Sequence, residues 1–475
     1  MKKSAKYYFI HYRIIFSGIP NKVFKQIKMS VTKYDYGMIG LGTMGRNLAF
    51  NMNDNGYSVV GYDKNETQVT TFVQEAGSRS VTAVNNLQQF INLLKTPRAI
   101  ILLVPAGKIV DAVISELEPL LIENDLLMDW GNSHFTDTDN RIAGLSKSKI
   151  HFMGIGVSGG EQGARFGPSI MPGGPQERYN SIAPMLQSVA AKVNGEPCVT
   201  WLGQGSAGHY VKMVHNGIEY GLMQLIAETY HILKKIGGLG NQELEQVFTS
   251  WNKGVLHSYL IEITAGIFRQ TDELTDNLLI DMILDSAKQK GTGGWTTEDA
   301  INLQVPVPVI DMAVNMRNLS AYKTERLATE KIIIGPQTQQ AANKNELIHT
   351  MEQALYFGII TVYAQGMALL KTASEKYNYN LKPAAIAKIW RGGCIIRASL
   401  LEDIHHAFTN NPNLTNLLVA NVFSKKLNEQ QKQIRSITLL AVENGIPIPG
   451  IMTSLSYFDG WRSGWLPANL VQAQR

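Results

Sequence analysis

The stretch that decides the fold is Tyr36-Gly-Met-Ile-Gly-Leu-Gly-Thr-Met-Gly45. Its first residues are typical of a buried strand, its middle is a glycine turn, and residues 46–55 place apolar side chains at helical spacing. Glycine is needed three times: for a tight bend, for close approach of backbone N–H groups to a pyrophosphate, and for packing of the helix on the strand. These glycines are Gly40, Gly42 and Gly45. The sequence therefore predicts an α/β, Rossmann-type doubly wound domain that binds a dinucleotide.

A second predicted strand, residues 57–62, ends at Asp63, which lies 18 residues after Gly45. An acid at this distance is expected to accept hydrogen bonds from ribose hydroxyls, which favours NAD. The next residue, Lys64, could instead pair with the 2′-phosphate of NADP. The strand end therefore leaves the choice between NADP and NAD open. Beside the three glycines, the predicted cofactor contacts are Met44, Asp63, Lys64, Asn65, Val104 and Asn132.

Further apolar runs extend this pattern along the chain. Residues 99–104, 125–129 and 150–157 are predicted to be strands, and the first two have the continuous apolar character of buried parallel strands. Because ligands bind beyond the carboxyl ends of such strands, the turns after the first two should border the nicotinamide. From Gly208 onward almost every segment has helical spacing. We therefore predict a basic, unstructured leader (1–33), the Rossmann domain (34–206), a large all-helical substrate and dimerisation domain (207–460) and an irregular C-terminal tail (461–475).

Composition and charge exclude several classes of protein. The 475 residues are 44% hydrophobic and 17% charged, which is typical of a globular protein. The net charge is +5, but eight Lys and Arg precede the first acid, Asp35, so the rest of the chain carries 5 − 8 = −3. A slightly acidic body gives no electrostatic reason to expect nucleic acid as a partner. Two cysteines are too few for a disulfide-stabilised secreted fold.

The leader and the apolar windows bear on localisation. The leader is cationic and lacks a clean apolar region, and Met29 offers a second start. We interpret residues 1–28 as an upstream extension of the reading frame without a structural role. No other window reaches about 18 consecutive apolar residues, the length that a membrane helix needs. The prediction is a cytoplasmic protein without a membrane partner.

One predicted helix carries the candidate chemistry. It begins near His209 and continues to Lys235, with Gly237 and Gly238 after it. Positions i, i+3, i+4, i+7 and i+8 form one face of a helix, and here they hold an amine, an imidazole, an amide, a carboxylate and a phenol. These residues are Lys212, His215, Asn216, Glu219 and Tyr220. A solvated face would also explain a polar stripe, but such a face typically carries repeated Glu–Lys pairs, and the mixture here favours a reactive site.

From about residue 34 to the end, the chain resembles the decarboxylating 6-phosphogluconate dehydrogenases of the pentose phosphate pathway. The resemblance rests on long strings that occur in matching order. They are residues 40–45, 129–133, 158–174 (SGGEQGARFGPSIMPGG), 212–220 (KMVHNGIEY), 289–293 (QKGTG), 390–394 (WRGGC) and 466–475 (LPANLVQAQR).

The resemblance implies an oxidative decarboxylation of 6-phospho-D-gluconate to D-ribulose 5-phosphate and CO2 without a metal. Lys212 matches the general base that takes the proton of the 3-hydroxyl group, and Glu219 matches the acid that protonates C1 after CO2 has left. Positions that hold the carboxylate and hydroxyls of the substrate are matched by Asn132, Ser158, Gly159, Gly160, His215 and Asn216. Its phosphate ligands are matched by Tyr220, Lys290, Arg317 and Arg475. The family also implies a homodimer in which Arg475 reaches the neighbouring subunit's site.

Some residues depart from the family pattern. Asp63-Lys64-Asn65 replaces the usual Asn-Arg-Thr, and Pro105 stands where a lysine is common, so strict NADP preference is weakened. Trp130 replaces a glycine near Asn132 and could crowd the nicotinamide pocket. The family continues beyond Arg475 with a histidine, so we expect a truncated tail or a weakened enzyme.

Two alternatives follow from these departures. A related β-hydroxyacid dehydrogenase with another small acid is favoured if Lys290 and Arg317 do not converge on one anion. A catalytically silent dimeric binding protein would explain Trp130 and the short tail. That second alternative requires the loss of Lys212 and Glu219, and both are present.

Overall fold

In the computed structural model, which describes residues 33–289 and 291–475, seven strands of the first part of the chain form one sheet. The leader, apart from Lys33, and the predicted site residue Lys290 lie outside the described residues. The strand order is β3-β2-β1-β4-β5-β6-β7, parallel except for β7, which pairs antiparallel with β6. These strands are β1 (Tyr36–Ile39), β2 (Val59–Tyr62), β3 (Val81–Val84), β4 (Ala99–Leu102), β5 (Leu126–Asp129), β6 (His151–Ser158) and β7 (Ser169–Pro172).

Helices cover both faces of this sheet. Along β4, Ile101 packs into one apolar cluster, and Ile100 and Leu102 pack into another on the opposite face. The helices of this part are α1 (Thr43–Asp54), α2 (Glu66–Ala76), α3 (Leu87–Asn92), α4 (Lys108–Leu117), α5 (Phe135–Leu145), α6 (Gly160–Phe166) and α7 (Gln176–Val189). The two-stranded ribbon β8 (Lys192–Val193) and β9 (Glu196–Pro197) follows. The predicted Rossmann-type fold is confirmed.

The carboxyl ends of the central strands meet at one edge of the sheet, because these strands are parallel. There the turn after β1 lies against the turn after β4: Gly40 has φ +95°, and a Cβ at this position would lie 2.4 Å from the carbonyl oxygen of Leu103. Only glycine tolerates both the backbone angle and the contact. The glycine turn is therefore held close to the turn after β4.

The described part of the chain after β9 is helical. The long helix α15 packs on both α8 and α18 within the largest apolar cluster. The helices are α8 (Ala207–Lys235), α9 (Asn241–Trp251), α10 (Tyr259–Ile267), α11 (Leu279–Met282), α12 (Thr292–Asn302), α13 (Pro308–Ser320), α14 (Lys323–Glu330), α15 (Lys344–Lys376), α16 (Pro383–Trp390), α17 (Leu400–Asn410), α18 (Asn421–Glu443), α19 (Pro449–Arg462) and α20 (Ala468–Ala473).

Helix α15 is, among the described residues, the one helix whose length and mean hydropathy would suit a membrane span. Its most apolar window is 89% buried inside the structure. Burial of this kind is also found in the central helix of a globular core.

Helix α8 lies directly on the sheet because glycines remove the side chains between them. A Cβ at Gly156 of β6 would lie 2.4 Å from the Cβ of Lys212. A Cβ at Gly208 would lie 2.3 Å from the carbonyl oxygens of Gly154 and Met171. This close approach buries the stem of Lys212 between the helix and the carboxyl half of β6.

Several features differ from the expectations. Strand β3 was not predicted, because its four half-buried residues, at the edge of the sheet, contain no continuous apolar run. Strand β7 was not predicted either, because its four residues end in a proline and give no strand pattern. The two-residue strands β8 and β9 are too short to give a pattern. The tail, predicted to be irregular, contains the six-residue helix α20, and residues 461–475 are exposed throughout. The domain boundaries at residues 206 and 460 stay predictions.

Candidate active site

A cleft of about 860 Å³ opens between the carboxyl ends of the strands and helix α8. Most of the predicted site residues line it. They are Met44, Val104, Asn132, Ser158, Gly159, Gly160, Lys212, Asn216, Glu219, Tyr220 and Arg317. The polar face of one helix and the turns of the sheet therefore meet in one cavity.

Lys212 has the properties that a general base requires. Its side chain projects from α8 into the cleft and the residue is only 6% exposed. Burial lowers the pKa of its amine to about 8, and the charges of Glu219 and Cys394 oppose that shift. A substantial fraction of this amine is therefore neutral near physiological pH and able to accept a proton.

His215 is a neutral imidazole beside this lysine. Burial and the charge of Lys212 hold its pKa well below the ordinary value. Its Nδ1 lies 3.5 Å from Nζ of Lys212 and 3.1 Å from Oδ1 of Asn216. Its Nε2 is buried and has no hydrogen-bond partner among the described residues. Such an orphaned ring nitrogen can serve a ligand.

Glu219 lies one helical turn further along α8. Its carboxylate Oε2 is 3.9 Å from Nδ1 of His215, and its side chain is 16% exposed. Burial raises the pKa of this carboxyl group, while Lys212 and Arg317 lower it. The net rise increases the protonated fraction, as a proton donor needs.

At the far end of the cleft, a cation covers an aromatic ring. The guanidinium carbon of Arg317 lies 3.7 Å from the ring centroid of Tyr220. Its Nη1 donates to the carbonyl oxygen of Lys288 at 3.4 Å, and its Nη2 contacts the sulfur of Met223 at 3.5 Å. Neither acceptor is anionic, so the positive charge of Arg317 is available to an anion in the cleft.

The glycine turn and the start of α1 form the dinucleotide end. Gly42 precedes α1, and no side chain caps the helix there, so its first N–H groups can face a phosphate. Oδ2 of Asp63 accepts from the backbone N–H of Leu41 at 2.9 Å. Asn65 caps α2 by accepting from the N–H of Thr67 at 2.9 Å. The glycine turn and Asp63 therefore fit a dinucleotide. The side-chain oxygen of Asn65 is instead used to cap α2.

Trp130 is one of the residues that line the cleft, and it leaves the cavity open. It is 2% exposed and packs in the apolar cluster on one face of the sheet, together with Met38 and Met128. Its Nε1 and the Oγ of Ser158 are buried without a partner among the described residues. Asn132, two residues after Trp130, still lines the cavity.

Not every predicted residue lines the cleft, and some lining residues were missed. Arg475 is exposed, and it is not a lining residue in this protomer. His215 is fully buried behind the lining residues. The predicted cofactor residues that also do not line this cavity are Gly40, Gly42, Gly45, Asp63, Lys64 and Asn65. Lys288 and Trp295 line the cavity but were not predicted. Lys288 lies three residues before Gly291, in the same segment that predicts Lys290 as a phosphate ligand, and this proximity is the signal in the sequence that points to it.

Comparisons with known proteins agree over nearly the whole chain. The family model described as the NAD binding domain of 6-phosphogluconate dehydrogenase matches residues 35–203, and the model for the C-terminal domain of that enzyme matches residues 208–475. The solved 6-phosphogluconate dehydrogenase of Plasmodium falciparum is 42% identical with a TM-score of 0.90, over 93% of this chain and 95% of that one. Its structures include complexes with NADP+ and with 6-phosphogluconate.

Curated relatives give the same result. The NADP(+)-dependent, decarboxylating 6-phosphogluconate dehydrogenase of Bacillus subtilis is 48% identical over 94% of this chain and 95% of its own length. The decarboxylating enzyme of Escherichia coli is 46% identical over the same shares of the two chains. With two family models covering both parts of the chain and these identities, the protein belongs to the 6-phosphogluconate dehydrogenase family.

Proposed function

We propose that the chain is an oxidoreductase that converts 6-phospho-D-gluconate to D-ribulose 5-phosphate and CO2, with reduction of NADP or NAD. The observation that carries this proposal is the pair formed by buried Lys212 and Glu219 in one cleft beside the glycine turn. The names of the relatives agree with it, and NADP is the cofactor named for two of them. This reaction belongs to the oxidative branch of the pentose phosphate pathway.

Lys212 acts first in the proposed mechanism. Its neutral amine takes the proton from the 3-hydroxyl group as the C3–H bond breaks, which leaves a 3-keto acid. A nicotinamide bound in the cleft supplies the acceptor for the hydride. Met44, Val104 and Asn132 line the cleft beside the glycine turn and would hold that ring.

Glu219 acts in the second half. A β-keto carboxylate loses CO2 readily, because the ketone accepts the electron pair of the breaking C–C bond. Lys212, protonated in the first step, can return its proton to the ketone oxygen, which gives an enediol. Glu219 then protonates C1 while Lys212 takes back the proton of the enediol hydroxyl, which gives the ketone of D-ribulose 5-phosphate. The raised pKa of Glu219 favours its part of the transfer.

The two ends of the cleft would bind different parts of the substrate. Near Lys212, the carboxylate and hydroxyls of the substrate would be held by Asn132, Ser158, Gly159, Gly160, His215 and Asn216. At the far end, its phosphate would be held by Tyr220, Arg317 and Lys290. The orphaned Oγ of Ser158 and Nε2 of His215 support the first group, and the accessible charge of Arg317 supports the second.

The functional unit that we propose is a cytoplasmic homodimer. The exposed tail carries large apolar side chains, including Trp465, 69% exposed, and Val471, 65% exposed. Such a surface favours burial against a second copy. Arg475 of the partner subunit would then complete the phosphate site.

The alternatives are not favoured. The two proposed catalytic residues, Lys212 and Glu219, both line the cleft of about 860 Å³, which speaks against a silent binding protein. Arg317, Tyr220 and Lys288 line one end of the cleft, as expected for a phosphorylated substrate rather than a small unphosphorylated acid.

The experiment compares initial rates of nucleotide reduction with 6-phosphogluconate, gluconate and 3-hydroxyisobutyrate. We expect 6-phosphogluconate to be preferred over gluconate by at least about a hundredfold in kcat/KM, because only the former offers a dianion to Arg317. Equal rates with gluconate, or a preference for 3-hydroxyisobutyrate, would contradict the proposal.

A further inference from the structure

The carboxylate of Asp63 is fixed at the adenosine end of the glycine turn. Its Oδ2 accepts from the N–H of Leu41, and its Oδ1 accepts from the N–H of Asn65, both at 2.9 Å. In this fold, an acid at the end of β2 accepts hydrogen bonds from the ribose hydroxyls of the cofactor. Two backbone contacts keep this acid in place, so it cannot turn away from a ligand at low cost.

The cations beside this turn are already paired with acceptors. Nζ of Lys64 lies 2.6 Å from Oε1 of Glu116. Arg46 contacts three acceptors: its Nε lies 3.1 Å from Oε2 of Glu75, and its Nη1 donates to the carbonyl oxygen of Leu41 at 2.9 Å and to Oε1 of Gln68 at 2.7 Å. Two cations, Arg46 and Lys64, therefore lie around the turn together with three carboxylates, those of Asp63, Glu75 and Glu116.

This arrangement suits a ribose 2′-hydroxyl and not a 2′-phosphate. A hydroxyl can donate to Asp63 without any rearrangement. A phosphate would bring a second anion against a fixed carboxylate, and Lys64 or Arg46 would have to leave its present acceptor to neutralise it. The residues thus fit a dinucleotide but do not fit the group that distinguishes NADP from NAD.

We infer that the chain binds NAD more tightly than NADP, with Asp63 as the residue that decides the preference and the Lys64–Glu116 pair as its support. For catalysis, this inference rests on the proposed function, because it concerns the cofactor of the same cleft. It departs from the NADP dependence named for two relatives.

The first test measures binding by isothermal titration calorimetry on the full chain. NAD and NADP are compared directly, and AMP and adenosine 2′,5′-bisphosphate are compared as fragments that lack the nicotinamide. We expect the ligand without the 2′-phosphate to bind tighter in each pair, by about tenfold. Equal binding, or tighter binding of NADP and of the bisphosphate, would overturn the inference.

Two single-residue variants test which residues determine the preference for NAD over NADP. Asp63→Asn keeps an oxygen for the N–H of Leu41 and removes the charge, so the ratio of NADP to NAD affinity should rise about tenfold. Glu116→Gln should release Lys64 and strengthen NADP binding while leaving NAD binding unchanged. An unchanged ratio in both variants would overturn the role of Asp63 and of the pair.

The matched control is Glu123→Gln. Glu123 pairs with Lys149 at 3.2 Å on the surface, so this variant removes the same charge from an exposed ion pair outside the turn. Its ratio of affinities should equal that of the parent protein, and a shift as large as that of Glu116→Gln would contradict a local effect.

Measurements of binding and of turnover distinguish the inference about the cofactor from the proposed function. A chain that prefers NAD in binding but does not oxidise 6-phosphogluconate would contradict the proposed function and leave the inference intact.

Discussion

At the scale of the residue, the site depends on one buried amine. Lys212 is enclosed by α8 and β6, and this burial is what lowers its pKa to about 8. The sequence placed Lys212 and Glu219 on one helix face, because spacing alone determines that. It did not show that Asp63 is tied to the N–H of Leu41 or that Lys288 lines the cleft, because these contacts depend on how distant turns come together.

The pH dependence of kcat/KM should follow the ionisation of Lys212. Because the neutral amine is the active form and its pKa is about 8, kcat/KM should rise with pH up to about 8 and then level off.

The variant Lys212→Met tests the same role. It should lose at least about a thousandfold in kcat/KM and still bind nucleotide. The control is Lys147→Met at an exposed lysine outside the cleft. A flat profile, or turnover retained in Lys212→Met, would rule out Lys212 as the base.

Glu219→Gln tests the proton donor separately. An amide cannot transfer the proton, so exchange of the C1 hydrogen of D-ribulose 5-phosphate with D2O, followed by NMR, should slow by roughly a hundredfold. Nucleotide binding should be unchanged, because Glu219 lies away from the glycine turn. Exchange at the parent rate would assign protonation of C1 to another group.

At the scale of the element, the position of α8 on β6 determines the geometry of the site. The helix itself was predictable from its 3.6-residue spacing, and β1, β2, β4, β5 and β6 were predictable from their apolar runs. The docking of α8 was not, since it depends on which glycines of β6, and of the turn after β7, face the helix. Strands β3 and β7 were also missed, because β3 has no continuous apolar run and β7 is a four-residue segment ending in proline that resembles a loop.

Gly156→Ala should disturb this docking. The added methyl group would lie 2.4 Å from the Cβ of Lys212, so α8 must shift. We expect a loss of stability of about 1–3 kcal/mol in chemical denaturation and a lower kcat. Gly144→Ala is the matched control, because a Cβ there meets nothing within 4 Å in helix α5. Equal stability and activity in both variants would contradict the role given to the contact.

At the scale of the whole molecule, the proposed homodimer rests on the exposed tail. Residues 461–475 are exposed along their whole length and include Trp465 and Val471. The resemblance predicted a tail that serves another subunit, and the exposure in this protomer is compatible with that prediction. The contacts between two subunits could not be predicted, because neither the sequence nor a single protomer defines how the subunits are arranged.

Mixing two inactive variants tests the assembly. A chain lacking residues 463–475 should keep its fold but lose most of its turnover, and Lys212→Met should be inactive with an intact tail. In a mixed dimer, the tail of the second chain would serve the intact Lys212 of the first, so activity should return on subunit exchange. If the tail serves its own chain, the mixture will stay inactive.

In the proposed mechanism, one cleft both oxidises and decarboxylates the substrate. The most direct test is the molar ratio of CO2 released to nucleotide reduced when the purified protein acts on 6-phosphogluconate, measured with NAD and with NADP. The mechanism with Lys212 and Glu219 predicts one CO2 for each nucleotide reduced, whichever cofactor is used. Reduction of the nucleotide without release of CO2 would contradict it.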